Sequence, residues 1–160
     1  MKKHLFFFIS IAITISCNSQ NKIDEISGVW QLNSPEIGSG YLDNYQFFKN
    51  GEFKFNINQY DELKTIVAVK GKYSISKDSI FFIPQTIEEH GGKTRLVRSR
   101  TTSLHDSWSL TGDYKTSEIT LKQQETFSAT LEFRKNSKGQ ISILIDGTEY
   151  FQIIKDPEDY

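Results

Sequence analysis

Only a few side chains in this chain are of types and spacings that do chemistry. Glu88, Glu89, His90, His105 and Asp106 are the one grouping that resembles a metal or acid–base site. A zinc site needs three or four ligands in fixed geometry, and a catalytic histidine needs a nucleophile and an orienting acid. Two histidines fifteen residues apart in a loop-rich region supply neither, so these residues read as surface groups. Just after the first three lies Thr94-Arg95-Leu96-Val97-Arg98-Ser99-Arg100. On a strand, Arg98 and Arg100 share a face, and two guanidiniums can hold a carboxylate through forked hydrogen bonds. The same pattern also makes a solvated strand face. Trp108, Tyr41, Tyr45, Tyr60 and Tyr114 can stack on a ring-bearing ligand or serve as core. The chain has no phosphate-cradling P-loop and no G-x-S-x-G nucleophile elbow. These residues point to binding rather than catalysis, with no metal and no cofactor.

The elements that must position them are strands. Beyond residue 28 the apolar period is two. Phe53, Phe55 and Ile57 alternate with polar neighbours, as do Tyr73 and Ile75, Ile119 and Leu121, Leu131 and Phe133, and Ile141, Ile143 and Ile145. Strands of this kind bury one face and wet the other. The punctuation predicts hairpins: Asn50-Gly51, Lys77-Asp78, Asn136-Ser137-Lys138-Gly139 and Asp146-Gly147 each separate two apolar runs. Residues 84–95, with Pro84 and Gly91-Gly92, break the rhythm and read as a long hairpin loop, or as a lid over a barrel mouth. About nine to ten short strands joined by tight turns favour an all-β fold. The reading is an antiparallel up-and-down β-barrel of about eight to ten strands, because closure removes exposed edges. A two-sheet β-sandwich is the alternative. Eight to ten strands enclose an interior filled by side chains or able to hold one small ligand.

The N-terminus carries an address. Met1-Lys2-Lys3 is a short basic start, residues 5–15 are uncharged and almost all apolar, and Ser16 is small. These are the three parts of a secretory signal, and the apolar run is too short to span a bilayer. Cys17, the single cysteine, follows directly and cannot form an internal disulfide. The stretch resembles a bacterial lipoprotein signal of the relaxed Bacteroidota type, with Thr14 where the usual pattern has Leu. That resemblance implies cleavage before Cys17 and lipidation of its residue, hence a membrane anchor in the bacterial cell envelope. Residues 18–22 lack the acidic run that directs some such lipoproteins outward, which favours the periplasmic face of the outer membrane. The expected organisation is a signal peptide over 1–16, Cys17 and a polar tether over 17–27, one barrel domain over 28–155 and a tail over 156–160.

The whole chain has 19 basic and 20 acidic residues; the leader holds Lys2 and Lys3 and no acid, leaving 17 against 20, or −3. That balance gives no electrostatic footprint for nucleic acid. Aromatic residues at 13% with three prolines argue against disorder.

Ile26-Ser27-Gly28-Val29-Trp30-Gln31-Leu32 opens the domain, followed by Tyr45-Gln46-Phe47-Phe48-Lys49-Asn50-Gly51 and Gly71-Lys72-Tyr73-Ser74-Ile75. The Gly-x-Trp signature and this continuation resemble the lipocalin-like domains of small bacterial lipoproteins over roughly residues 26–83. In the barrel reading Trp30 plugs one end and its N–H needs a partner, while Gly28 lets backbone approach closely. Classical lipocalins pack a late arginine on that Trp, and Arg134 is the nominee here. The resemblance implies binding of a small apolar or amphipathic ligand in a cavity lined by Phe and Ile, with Arg98, Arg100, Trp108 and Tyr45 as candidate contacts. Intracellular fatty-acid-binding barrels are similar in using inward arginines. The competing expectation is a packed barrel that touches an envelope protein partner, as an inhibitor or accessory subunit, through residues 84–107.

Overall fold

A computed structural model describes residues 21–36, 42–58, 65–92, 94–102, 105–112, 115–137 and 139–160, and for 94–102 and 105–111 it describes the backbone alone. The leader, Cys17, Tyr41, Tyr60 and Tyr114 lie outside the described residues. The alternating segments form strands β1 (Gly28–Leu32), β2 (Asn44–Phe47), β3 (Glu52–Asn56), β4 (Ile66–Ser76), β5 (Ser79–Gly91), β6 (Thr94–Thr102), β7 (His105–Gly112), β8 (Lys115–Thr120), β9 (Phe127–Lys135), β10 (Ile141–Ile145) and β11 (Thr148–Ile154). Turn chemistry sets the hairpins. Gly51 (φ 81°), Lys77 (φ 53°), Asp146 (φ 48°) and Gly147 (φ 77°) take the left-handed conformations that tight hairpin turns demand. Asn50 adds a side-chain acceptor for the Glu52 N–H at 2.9 Å.

Eight strands close into an antiparallel up-and-down barrel in the order β4-β3-β2-β1-β11-β10-β9-β5, with β5 returning to β4. Each wall strand is paired on both sides, which excludes the two-sheet sandwich. The strand β5 has two tasks. Along one edge it pairs with β4 over nearly its whole length; along the other, Ser79–Phe82 pairs with β9 and Thr86–Gly91 pairs with β8. The lower half therefore closes the barrel. The upper half of β4 stays in the wall beside β3, and the upper half of β5 carries the sheet from it to β8, so that upper β5 and β8 extend past the barrel seam as a wing. The strands β6 and β7 form a separate hairpin between the wing's two strands.

The wing corrects one expectation. Residues 84–91 are strand, not loop. Pro84, which has no N–H to give a ladder, sits opposite Gly71 at a register shift. A Cβ on Gly71 would lie 2.1 Å from the Ile83 carbonyl oxygen, so the bulge needs glycine there. A proline and a run of polar residues look like a loop until the bulge that absorbs them is visible.

The interior is packed at one end. Trp30, Phe47, Ile80 and Ile143 are fully buried, and Tyr73, Ile75, Leu131, Ile145 and Tyr150 surround them. Residues 21–26 form a helical turn that stoppers this end, with Ile26 fully buried and Ile23 packed on the core. The indole N–H of Trp30 donates to the Ile26 carbonyl at 2.6 Å. Lys22 Nζ donates to the Lys77 carbonyl and faces Asp78 at 3.7 Å, tying the helical turn to the β4–β5 turn. Residues 21–27, expected in the tether, are thus part of the fold. Arg134 does not cover Trp30: it is exposed and bonded to Glu132 at 2.8 Å. Gly28, at φ 139°, is pressed so close that a Cβ would meet the Ile154 carbonyl at 2.7 Å. The C-terminal residues are also fastened rather than trailing. Gln46 Nε2 donates to the Pro157 carbonyl at 3.2 Å and Asn44 Nδ2 to the Tyr160 hydroxyl at 3.0 Å.

Because Trp30 joins the stopper to the core, Trp30→Ala is expected to cost about 3–5 kcal/mol of folding stability. Urea unfolding followed by far-UV circular dichroism measures it, and a loss below about 1 kcal/mol, the ordinary cost of a point substitution, contradicts the assignment.

Candidate functional site

Along β4, Ile75 lies beside the helical stopper, and Val69, six residues away on the same inner face, lies at the far end. At about 3.3 Å per residue the two are roughly 20 Å apart. At that far end the barrel is open. Five rings, Tyr45, Phe53, Phe55, Phe82 and Phe127, form a cup of about 200 Å³, and Val69 and Pro84 complete its wall. The strands dictate this lining, since Tyr45, Phe55 and Val69 are inward residues of β2, β3 and β4 in direct register, and Phe53 is the next inward residue of β3. Tyr45 is the hub. Its ring centroid is 4.5 Å from that of Phe55, 5.6 Å from Phe82 and 5.2 Å from Tyr150. Burial pushes the Tyr45 phenol well above its usual pKa, with further upward pressure from Tyr150, Asp43 and Asp146. Burial and then Asp43 raise Tyr150 in the same sense.

The cup does not end at the barrel rim. Phe55, Val69, Ile87 and Ile119 are successive cross-strand partners on β3, β4, β5 and β8, so one apolar row runs from the cup onto the wing. Phe127 is 54% exposed and Ile119 42%. Large apolar groups left open beside a pocket mark a contact surface. The isoleucines expected to line a cavity instead fill the core, and the lining is aromatic.

The back of the wing is charged. Lys70 Nζ contacts Glu88 at 2.5 Å, Lys54 reaches the same carboxylate at 3.6 Å, and Glu118 lies 3.9 Å from Lys70. The hydrogen bond from Lys70 holds Glu88 below the usual carboxylate range, and the same bond raises Lys70. Glu88 is therefore committed to an ion-pair network rather than to acid–base work. Lys54 separates two outer grooves, of about 460 Å³ beside Glu52 and Thr86 and about 320 Å³ beside Asn56 and Tyr160.

Of the residues expected to bind, Tyr45 stands at the centre of the cup. Arg98 and Arg100 lie on β6 and Trp108 on β7, where Arg98 and Trp108 are direct register partners. Their side chains are outside the described structure. Sequence reasoning missed Phe53, Phe55, Phe82 and Phe127 as a site. The alternation put Phe53 and Phe55 on one strand face but did not single out Phe82 or Phe127, nor show which end of the barrel any of them line.

The chain matches no family model, no curated protein and no solved structure.

The Glu88 network sets a pH dependence. A carboxylate held below its unfolded pKa stabilises the fold above that value, and the contribution is lost as pH falls through the folded pKa. Glu88→Gln is therefore expected to be less stable at pH 7, by at most about 1 kcal/mol because the lysines are partly exposed. The difference should vanish toward pH 3, as read from urea midpoints of both proteins.

Proposed function

We propose that this protein is a lipid-anchored component of the bacterial cell envelope whose lipocalin-like barrel takes a small apolar or amphipathic group into the aromatic cup at its open end. One observation carries the reading: a barrel packed and stoppered at one end is left open, apolar and aromatic at the other. Ligand sites are concave, mostly apolar and equipped with a few polar groups, and Tyr45 supplies such a group here. The anchor fits this geometry. Cys17 precedes the helical turn by four residues, a reach of at most about 14 Å. A lipid on Cys17 would hold the stoppered end against the membrane and leave the cup facing away from it. The cup is below the roughly 300 Å³ at which pockets enclose a whole drug-sized ligand, so it suits one end of a molecule rather than all of it. Arg98, Arg100 and Trp108, beyond the wing, remain the proposed contacts for whatever projects.

A second reading is favoured by the filled core. The barrel then serves as a rigid platform, and the wing with its β6–β7 hairpin docks an envelope protein partner.

Native mass spectrometry of the full chain separates the two. An adduct that is lost on denaturation, and weakened at least about fivefold by Phe127→Ser, is the outcome expected for a ligand cup; fivefold is about 1 kcal/mol, the low end for losing a buried aromatic contact. A bare protein mass together with crosslinks from β6–β7 to another envelope protein favours the platform. Separately, Cys17→Ser is expected to move the protein from the membrane fraction to the soluble fraction, and unchanged membrane retention would contradict the anchor.

A further inference from the structure

We propose that the cup is an aromatic cage for a compact cation, specifically a quaternary alkylammonium group. The inference rests on the cup being the binding site and names what that site selects. Aromatic rings present a negative face, and a cation enclosed by several of them is attracted to each. Five rings line this cup, and the two nearest, Tyr45 and Phe55, are tilted at 44° to one another. The volume of about 200 Å³ suits a compact head group rather than an acyl chain. A quaternary ammonium has no N–H to satisfy, so an apolar wall leaves no unpaired donor behind. A primary ammonium in the same place would leave three donors to satisfy.

The rim has matching charge. Asp43 stands at the mouth end of β2, and Asp146 is in the β10–β11 turn. Both carboxylates act on the Tyr45 hydroxyl, which places their charge at the cup. Their hydrogen bonds hold them without cancelling that charge. Asp43 accepts from the Asn58 N–H at 2.7 Å, and Asp146 from the Thr130 N–H at 2.7 Å and hydroxyl at 3.2 Å. A bare carboxylate ligand, the class suggested by Arg98 and Arg100, would meet these two acids on entering the cup.

Two probes of nearly equal shape test the cage: choline and its uncharged carbon isostere, 3,3-dimethylbutan-1-ol. Each is titrated into the full chain in a maltoside detergent, and NMR shifts of the cup residues give the affinities. Choline is expected to bind at least about tenfold tighter, equivalent to about 1.4 kcal/mol. Phe127→Leu keeps the apolar bulk at an exposed position and removes the ring. It is expected to weaken choline severalfold and the isostere by clearly less. Equal affinities for the two probes would overturn the cation assignment while leaving the apolar cup in place. Failure of both probes to shift any cup residue would overturn the cage and the cup together.

Discussion

Whether this chain has an inside at all depends on the hydrogen bonding of one strand. The β1–β11 ladder joins the first four strands to the last three on one side, and β5 makes the second junction that turns the sheet into a ring, pairing with β4 on one edge and β9 on the other. Without the short β5–β9 ladder the wall would be an open sheet with two free edges. Its inward rings would then face solvent. With the ladder, strands of four to thirteen residues enclose one core, and barrel closure does the work that a second layer does in other folds. The same strand then continues past the wall, so the element that closes the barrel also carries the wing.

The two ends of the barrel divide stability from contact. At the stoppered end each demanding group is answered: Trp30 by Ile26, Tyr73 by the Phe48 carbonyl at 2.9 Å, Lys22 by the β4–β5 turn. At the open end the aromatic side chains stack on one another, and nothing among the described residues closes over them. Leaving apolar rings open to water forfeits burial that a plug would supply. A protein with one end so well filled does not need an open second end in order to fold.

Much of this was readable from residue order, because antiparallel hairpins are local. The alternation gave strands, Asn50-Gly51 and Asp146-Gly147 gave turns, and Gly28 and Trp30 gave the stopper's address. What could not be read was non-local or marginal. The turn at 21–26 holds only two apolar residues, Ile23 and Ile26, and a helix that short has no stability without the barrel it plugs. Pro84 is compatible with a strand only because Gly71, thirteen residues earlier, makes room for a bulge. Lys54, Lys70, Glu88 and Glu118 are scattered through the chain and meet only once register is fixed. The cup is of the same kind: its rings come from three strands and the start of a fourth, and their shared height along the barrel is a property of stagger, not of pattern.

The wall records how the chain left it. Phe82, where β5 departs from β9, and Phe127, where β9 begins, are direct cross-strand partners. The upper part of β5, the β6–β7 hairpin and β8 are therefore an excursion that starts and finishes at neighbouring points of a finished barrel. The entropy of closing such a detour grows only with the logarithm of its length. Residues between β5 and β8, beyond the β4–β5 ladder, can be lengthened, shortened or exchanged while the eight-stranded wall keeps its register, so the outlying part can diverge without the part that folds having to change.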